Sequence, residues 1–381
     1  MKITGVETFL VPPRWLFVRV QTDEGVVGWG EPVVEGRAET VRVAVDTLAE
    51  LLLGADPLRI EDHWQTMTRG GFYRGGPVLS SAIAGLDQAL WDIAGKVRDV
   101  PVHGLLGGPV RDRVRIYSWV GGDEPSEIAD AISQQMEHGL TAVKMNATGR
   151  MSPIASPREI DTVLARVQNA REVLGEDRDL ALDFHGRVSP ANAQRLLPLL
   201  EPYRPMFVEE AVLPELGHLT AQIAACSTVP LALGERLYSR WDFLPVLGAG
   251  ISVAQPDLSH AGGISEVRRI GAMAEVHGVS MAPHCPLGPI ALAASLQIAF
   301  ATPNFLIQEQ SLGIHYNHGT ELLDYVVDRT PFRFVNGHVA RPIGPGLGIE
   351  VDEAAVRRAA ELGHQWRSPI WRYEDGGLAE W

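Results

Sequence analysis

The segment Leu180-Ala181-Leu182-Asp183-Phe184-His185 is an apolar run that ends in charged and imidazole side chains, and similar runs follow it. Asp183, Glu209 and Glu235 end the first three runs at equal intervals of 26 residues. One strand, one helix and their connecting loops need about that many residues, so the interval indicates a repeating βα unit. The later runs end at Asp257, His284 and Glu309.

Two more predicted strands precede these six runs. They are Arg115 to Val120 and Thr141 to Met145, and helical sequence from Glu124 to Gly139 lies between them. Eight parallel strands separated by helices predict an α/β fold of the TIM-barrel type. Because the strands of such a barrel all point the same way, the residues that end them gather around one mouth. We therefore expect three carboxylates and two histidines to converge there.

The sequence before the barrel predicts a smaller α+β unit. Residues 16–31 alternate apolar and polar side chains around a turn that Gly25 closes, which indicates two antiparallel strands. Helical sequence follows from about Arg37 to Leu53. A second helix from Ser80 to Val97 repeats apolar side chains every three or four residues.

These patterns predict three parts of the chain. Residues 1–112 form an α+β capping domain, residues 113–310 form the barrel, and residues 311–381 return to the cap. The returning segment contains a short helix near Asp352 to Leu362 and is expected to cover the barrel mouth. A chain of 381 residues is long enough for such a division.

Composition limits the classes of partner. The formal net charge of −14 and the pI near 5.3 argue against nucleic acid or an anionic membrane. Cys226 and Cys285 are too few for a disulfide framework, which favours a reducing cytoplasm. Residues 1–15 lack the apolar core of a signal peptide, and no run reaches the length of a membrane helix. We expect a cytoplasmic enzyme whose partner is a small molecule.

The three evenly spaced acids are candidate metal ligands. Asp183, Glu209 and Glu235 offer only oxygen, which favours Mg²⁺, with Mn²⁺ as a substitute, over Zn²⁺. Three carboxylates brought close together repel one another unless a cation lies between them. The alternative is that each acid forms a separate salt bridge at the end of its strand.

The two histidines at the mouth are candidates for proton transfer. Asp257 and His284 end neighbouring strands, and a carboxylate next to an imidazole fixes its tautomer and raises its basicity. His284 is therefore a candidate general base, although a purely structural pair is equally consistent with the pattern. His185 lies two residues after Asp183 and faces the same side. It is a candidate general acid or a further metal ligand.

Three more polar residues end barrel strands. Glu309 is a candidate hydrogen-bond donor to a developing oxyanion, or the partner of a nearby cation. Lys144 and Asn146 share one face at the end of the second strand. Lys144 either meets the negative charge of a substrate or pairs with Glu209 or Asp183.

The remaining histidines and cysteines carry weaker signals. Cys285 alternates away from the mouth next to Pro286, which favours packing over a nucleophilic role. A histidine without a partner in the sequence is more often structural than catalytic, and we place three of them in that class. These are His260, His315 and His318.

With these residues, the chain resembles the enolase superfamily in its mandelate racemase branch. The motifs are Ala89-Leu90-Trp91-Asp92-Ile93-Ala94-Gly95-Lys96, the turn Leu105-Leu106-Gly107-Gly108, the three acids and the Asp257–His284 pair. The resemblance implies a modified (β/α)7β barrel, capped by an α+β domain that the N-terminal region and the C-terminal tail build together. It also implies bound Mg²⁺ and a homo-oligomer.

The resemblance further implies an activity, the dehydration of a sugar acid, with D-galactonate as the expected substrate. His284, oriented by Asp257, would remove the C2 proton, and His185 would protonate the departing C3 hydroxyl. Glu309 would hydrogen-bond the enediolate. The expected substrate-binding residues are Lys144, Asn146, Arg14 and Tyr73.

Two departures from the family pattern bear on the reaction and on the substrate. Many relatives carry two lysines where this chain has Lys144-Met145-Asn146, which disfavours a two-base racemase or epimerase. Ala211 stands where proline is expected, and residues 147–156 match less well. Dehydration of gluconate, an arabinonate or an aldaric acid is therefore an alternative. A metal-dependent hydrolase and a non-catalytic sugar-acid binding barrel are further alternatives.

Overall fold

The structure is a computed structural model, and it describes residues 1–121, 128–314, 316–317 and 319–381. The first residues of the helix predicted from Glu124 lie outside this part of the chain, as do His315 and His318.

The N-terminal region is an antiparallel sheet in the order β1-β2-β3, packed against helices. The predicted hairpin is present as β2 and β3, and β1 is an additional strand on its outer side. The elements are β1 (Ile3–Val11), β2 (Trp15–Thr22), β3 (Val27–Gly30), α1 (Ala38–Ala49), α2 (Ile60–Arg69), α3 (Pro77–Arg98) and α4 (Val102–Leu105).

Two glycines let helix α3 approach strand β3 closely. A Cβ atom at Gly30 would lie 1.9 Å from the backbone oxygen of Gly85, and one at Gly28 would lie 2.1 Å from that of Ala89. Because real side chains do not reach such distances, only glycine allows this backbone contact.

Eight parallel strands form the second unit. They pair in the order β10-β9-β8-β7-β6-β5-β4, and β11 pairs with β4 on the other side. A parallel bridge between Met281 and Phe305 joins the two ends of this sheet, so the strands close into a barrel. The strands are β4 (Arg113–Val120), β5 (Ala142–Asn146), β6 (Asp179–Asp183), β7 (Val208–Glu209), β8 (Leu231–Leu233), β9 (Val253–Ala254), β10 (Ser280–Met281) and β11 (Gln308–Gln310).

Helices follow the first seven barrel strands, as a (β/α)7β order requires. Helix α6 begins with a capping box in which Ser156 and Glu159 each accept a backbone N–H of the other. The α-helices are α5 (Ile128–Glu137), α6 (Pro157–Leu174), α7 (Pro190–Leu200), α8 (Thr220–Ala224), α9 (Arg240–Leu247), α10 (Gly263–Val276) and α11 (Pro289–Ala301). Short 3-10 helices lie at Glu201–Tyr203, Pro214–Leu219, Leu322–Tyr325 and Thr330–Phe332.

The barrel interior is filled, because one buried side chain from or next to each strand contributes to a separate apolar cluster. The rings of Tyr117 and Phe207 meet edge to face at 6.4 Å, and small side chains occupy much of the remaining space. The cluster consists of Tyr117, Ala142, Ala181, Phe207, Ala232, Val253, Ala282 and Ile307. A filled interior leaves the mouth as the place for a ligand.

The chain after the barrel returns to the N-terminal sheet. Arg19 on β2 pairs with Glu353 at 3.1 Å, and Arg357 pairs with Glu7 on β1 at 2.9 Å. These contacts fix the last helix against the cap. The elements are β12 (Phe334–Val335), β13 (His338–Ala340), α12 (Glu353–Leu362), β14 (Trp371–Arg372) and β15 (Leu378–Ala379).

Asp92, within the motif that carries the resemblance, joins three parts of the chain. One carboxylate oxygen accepts from the Trp29 backbone N–H at 3.0 Å and from Lys96 Nζ at 2.7 Å. The other accepts from the Leu347 backbone N–H at 2.9 Å.

The predicted fold class is confirmed: the N-terminal region and the C-terminal tail together form the α+β cap of a (β/α)7β barrel. Within the described residues, none of the helices has both the length and the apolar character needed to cross a membrane.

Candidate active site

The barrel brings the three predicted acids to one mouth. Asp183 and Glu209 are paired in register as the last residues of β6 and β7, and Glu235 lies two residues beyond β8. Asp183 and Glu209 are almost fully buried. Because the strands are parallel and adjacent, the even spacing in the sequence becomes a row of carboxylates in space.

Lys144 on β5 lies among these carboxylates. Its Nζ is 2.7 Å from Glu209 Oε1, 2.8 Å from Glu309 Oε1 and 3.8 Å from Asp183 Oδ2. Of the two roles predicted for Lys144, the structure therefore shows the ion pair with the strand-end acids. Glu309 pairs with Lys144, and a pair with a nearby cation is the second of its two predicted roles. Glu309 Oε2 also accepts the Cys285 backbone N–H at 2.9 Å.

The buried acids at the barrel mouth repel one another, so positive charge among them is stabilising. Burial raises the pKa of Glu209 well above its ordinary value, Lys144 works against this, and Asp183 and Glu309 add to it. The donor set is anionic and consists only of oxygen, so it fits a hard divalent cation such as Mg²⁺. Among the described residues, however, the group whose ligand atoms all lie within 4.8 Å of one another is Asp257, His260 and His284.

Asp257 and His284 form the predicted pair. His284 Nδ1 donates to Asp257 Oδ2 at 2.8 Å, and its Nε2 lies 3.1 Å from Glu235 Oε2. The other Asp257 oxygen accepts the Ser259 backbone N–H at 2.6 Å, which fixes the carboxylate. Burial opposes protonation of His284, but the nearby carboxylates, led by Glu235, outweigh it and raise the pKa of His284 well above 6.5.

His185 occupies a special backbone position just after β6. Its φ is +52°, in the left-handed region that residues other than glycine rarely adopt. The Asp183 carboxylate accepts the His185 backbone N–H at 2.6 Å and so stabilises this turn. His185 Nδ1 lies 2.8 Å from the backbone oxygen of Trp381. The His185 side chain lies at the barrel mouth.

One cavity of about 280 Å³ lies between the barrel mouth and the cap, and its wall includes most of these groups but neither Glu209 nor Asp257. Residues of both the barrel and the cap contribute to its wall, so the cap covers the site at the barrel mouth. The lining residues are Arg14, Val34, Glu35, Trp119, Lys144, Asp183, His185, Glu235, Arg236, Tyr238, His260, His284, Pro286, Glu309, Tyr316, Trp366, Ser368 and Trp381.

Of the other predicted binding residues, only Arg14 joins this wall. It pairs with Glu35 at 3.2 Å and donates to the Pro286 backbone oxygen at 2.6 Å. Asn146 is buried opposite Asp183 in the barrel sheet. Tyr73 is 87% exposed, in ring contact with Phe72, and neither Asn146 nor Tyr73 is part of the cavity wall. A binding role for these two residues stays a prediction.

His260 has partners that the sequence did not reveal. Its Nε2 lies 3.2 Å from Glu35 Oε2, and its Nδ1 lies 3.9 Å from Asp257 Oδ2. Burial opposes protonation, but Asp257 and Glu35 outweigh it and raise the pKa of His260 to about 9. The sequence signal for the contact with Asp257 is the separation of three residues, because one turn of the chain brings the two side chains together. Glu35 gave none, because its loop meets the barrel only in the tertiary structure.

Cys285 is buried and is not part of the cavity wall, and its backbone N–H donates to Glu309. Burial raises the pKa of the Cys285 thiol well above its ordinary value. A neutral, buried thiol is a poor nucleophile, in agreement with the packing role expected from the sequence.

Comparison with known families agrees with this architecture. Residues 127–355 match the family described as enolase C-terminal domain-like. Residues 8–107 match the N-terminal domain of the mandelate racemase and muconate lactonizing enzyme family. The chain belongs to the enolase superfamily, in its mandelate racemase branch.

The relatives extend over the whole chain. A D-galactonate dehydratase of Ralstonia pickettii (strain 12J) is 54% identical, and one of Pectobacterium atrosepticum is 52% identical, with 100% of both chains covered in each case. An enolase crystal structure from Agrobacterium radiobacter, with bound Na and L-malate, superposes with a TM-score of 0.91 at 33% identity, again covering 100% of both chains. The chain is therefore an enzyme, a hydro-lyase of the sugar acid dehydratase kind. The hydrolase and non-catalytic alternatives are set aside.

Proposed function

We propose that the enzyme converts D-galactonate to 2-keto-3-deoxy-D-galactonate and water. The observation that carries the proposal is the position of His284 and His185 in the wall of one cavity, with Asp257 hydrogen-bonded behind His284 and strand-end carboxylates beside them. The full-length relatives named D-galactonate dehydratase support the choice of substrate. Arg14 and Arg236 place guanidinium groups in the cavity wall, and a guanidinium can bind a carboxylate of the substrate.

Asp183, Glu209 and Glu235 would hold Mg²⁺, or Mn²⁺ in its place. The chemistry that the ion supplies when bound is stabilisation of negative charge on the substrate carboxylate. Assigning Glu235 to the ion also releases His284 Nε2, which Glu235 contacts at 3.1 Å in this structure.

His284 acts as the general base in this proposal. The Asp257 carboxylate accepts from Nδ1, so Nε2 is the nitrogen that takes the C2 proton, and the electron pair of the C–H bond moves into the C2–C1 carboxylate unit. Asp257 then stabilises the imidazolium that forms. Glu309 lies 4.0 Å from His284 Nε2, and its hydrogen bond to the enediolate is part of the proposal.

His185 acts as the general acid. His185 Nδ1 donates to the Trp381 backbone oxygen, so the proton given to the C3 hydroxyl is the one on Nε2 of the His185 imidazolium, and the neutral ring with its Nδ1 proton remains. The C3–O bond breaks as a C2–C3 double bond forms, and the hydroxyl leaves as water. The enol product then tautomerises to the 2-keto acid.

The geometry disfavours the racemase alternative. Where many relatives carry two lysines that can serve a two-base reaction, this chain has Lys144 and Asn146. Because Lys144 is held between Glu209 and Glu309, its ammonium is committed to these carboxylates.

The test is a screen of the purified enzyme with Mg²⁺ against C5 and C6 aldonic and aldaric acids, with detection of the 2-keto-3-deoxy product. We expect turnover of D-galactonate alone. Turnover of gluconate or an arabinonate instead would overturn the substrate assignment and leave the base and acid in place.

Two variants separate the proposed roles. His284→Asn is expected to abolish both dehydration and solvent-deuterium exchange at C2, whereas His185→Asn should abolish dehydration and retain exchange. The exposed His277 offers a matched control, His277→Asn, which should retain both. Dehydration by His284→Asn at the wild-type rate would contradict the mechanism.

A further inference from the structure

Residues 364–381 form a strap on the His185 side of the cavity. Trp366, Ser368 and Trp381 line the cavity itself. The strap is fixed to the barrel at the short hairpin of β14 and β15, where Tyr373 Oη donates to the Met151 backbone oxygen at 3.0 Å. The Arg187 guanidinium lies 4.5 Å from the centre of the Trp371 ring. These contacts hold the strap against two barrel loops.

Trp381 meets His185 through two kinds of contact. Its backbone oxygen lies 2.8 Å from His185 Nδ1, and the two rings meet edge to face at 5.4 Å. A backbone oxygen can only accept a hydrogen bond, so His185 Nδ1 carries the proton of this contact. The ring nitrogen that remains for a ligand in the cavity is Nε2.

The same arrangement occurs at His284. His284 Nδ1 is 2.8 Å from an Asp257 carboxylate oxygen, so each of the two proposed catalytic histidines has its Nδ1 fixed by one oxygen. A hydrogen bond at one ring nitrogen sets the tautomer and the orientation of the other. For His284 that oxygen comes from Asp257, in the loop that follows the neighbouring strand β9. For His185 it comes from the strap.

We propose that Trp381 is a positioning residue for His185. Its backbone oxygen accepts the Nδ1–H of the His185 ring in both the imidazolium and the neutral ring that remains after proton transfer, and so directs Nε2 toward the C3 hydroxyl of the substrate. Trp381 acts through His185 and does not itself transfer a proton. The proposal rests on the proposed function for its kinetic consequences, whereas its structural claim concerns the His185 ring alone.

Removal of the backbone oxygen is the direct test. A variant that lacks Trp381 should dehydrate D-galactonate about 10- to 100-fold more slowly, the usual contribution of a group that orients a histidine. Exchange of the C2 proton with solvent deuterium depends on His284 and should be retained. The ratio of dehydration to exchange therefore falls in this variant.

Trp381→Ala separates the backbone oxygen from the indole ring. It retains the oxygen, so its ratio of dehydration to exchange should stay at the wild-type value even if loss of the ring lowers both rates. Leu378→Ala, at an exposed position in β15, is the control for changes in the strap and should match wild type. An equal fall of the ratio in both Trp381 variants would assign the effect to the ring and overturn the proposal. So would an unchanged ratio in the deletion variant.

A second readout does not depend on activity. In protein labelled with ¹⁵N-histidine, the ring signals of His185, assigned by their loss in His185→Asn, should show a protonated Nδ1 in the wild type. The variant that lacks Trp381 should show a mixture of tautomers. If the enzyme dehydrates no sugar acid, the proposed function fails, and these spectra still decide the Trp381 contact. An unprotonated Nδ1 in the wild type would overturn it.

Discussion

Lys144 Nζ lies 2.7 Å from Glu209 Oε1, and both side chains are almost completely buried. The ammonium also reaches Glu309 and Asp183. One lysine thus partly compensates the charge of three acids at the ends of barrel strands. This compensation stabilises the fold, because a buried charge without a partner costs free energy.

Lys144→Met should therefore lower the free energy of unfolding by about 3–5 kcal/mol, as expected when one partner of a buried ion pair is removed. Urea denaturation without added metal measures this difference. The exposed Lys2 provides the control Lys2→Met, which should leave stability close to wild type. Equal stability of the two variants would show that the acids do not depend on Lys144.

Asp257→Asn should slow exchange of the substrate C2 proton about 10²- to 10⁴-fold, the usual range for general base catalysis. Asparagine has nearly the same shape as aspartate but lacks the charge that stabilises the His284 imidazolium. Deuterium incorporation at C2, followed by NMR, measures the rate. Asp46→Asn, on the exposed face of α1, serves as the control, and a wild-type rate in Asp257→Asn would rule out this role for the pair.

Glu31 makes stability depend on pH. Its carboxylate is buried between the backbone N–H groups of Gly288 and Ala291, at 2.7 and 2.9 Å. Burial outweighs these donors and raises the pKa of Glu31 from 4.5 to about 8. Between these two values the folded state binds more protons than the unfolded state, so this contribution to stability is present below pH 4.5 and is lost as the pH rises toward 8.

Urea denaturation across this pH window should show a fall in the free energy of unfolding, by at most about 1.4 kcal/mol per pH unit from this group. Glu31→Gln cannot ionise, so the same series should show a smaller dependence on pH. Glu24→Gln, at an exposed position, should keep the wild-type dependence. Identical slopes in all three proteins would assign the pH dependence to other groups.

Arg14→Lys should raise the KM for the sugar acid about tenfold, which corresponds to 1.4 kcal/mol of binding free energy, with a smaller effect on kcat. The Arg14 guanidinium contacts Glu35 and Pro286 with separate nitrogens, and it lies 4.8 Å from the centre of the Tyr316 ring. A lysine ammonium cannot reproduce this planar arrangement. Steady-state kinetics measure the change, with Arg42→Lys at an exposed position as the control. An unchanged KM would remove Arg14 from the binding site.

The periodic part of the site could be predicted from the sequence. Asp183 and Glu209 end β6 and β7, and Glu235 lies two residues beyond β8, so the interval of 26 residues places the three acids at the ends of successive strands. Asp257, His284 and Glu309 lie at or just beyond the ends of the later strands. Their convergence depends only on strand direction and strand order, which the period already contains. The contact between Asp257 and His284 follows from the same rule, because residues that follow adjacent parallel strands lie next to each other.

The sequence alone also predicted the barrel, its cap and the acids, because short-range periodicity determines where strands and helices begin and end. The tertiary structure decided which cation meets the acids and which groups complete the cavity. Lys144 had three possible partners, and His260 and Glu35 come together only when the cap docks on the barrel. Trp381 lies 196 residues from His185 along the chain. Such contacts depend on side-chain packing between distant segments, and no local pattern in the sequence contains that information.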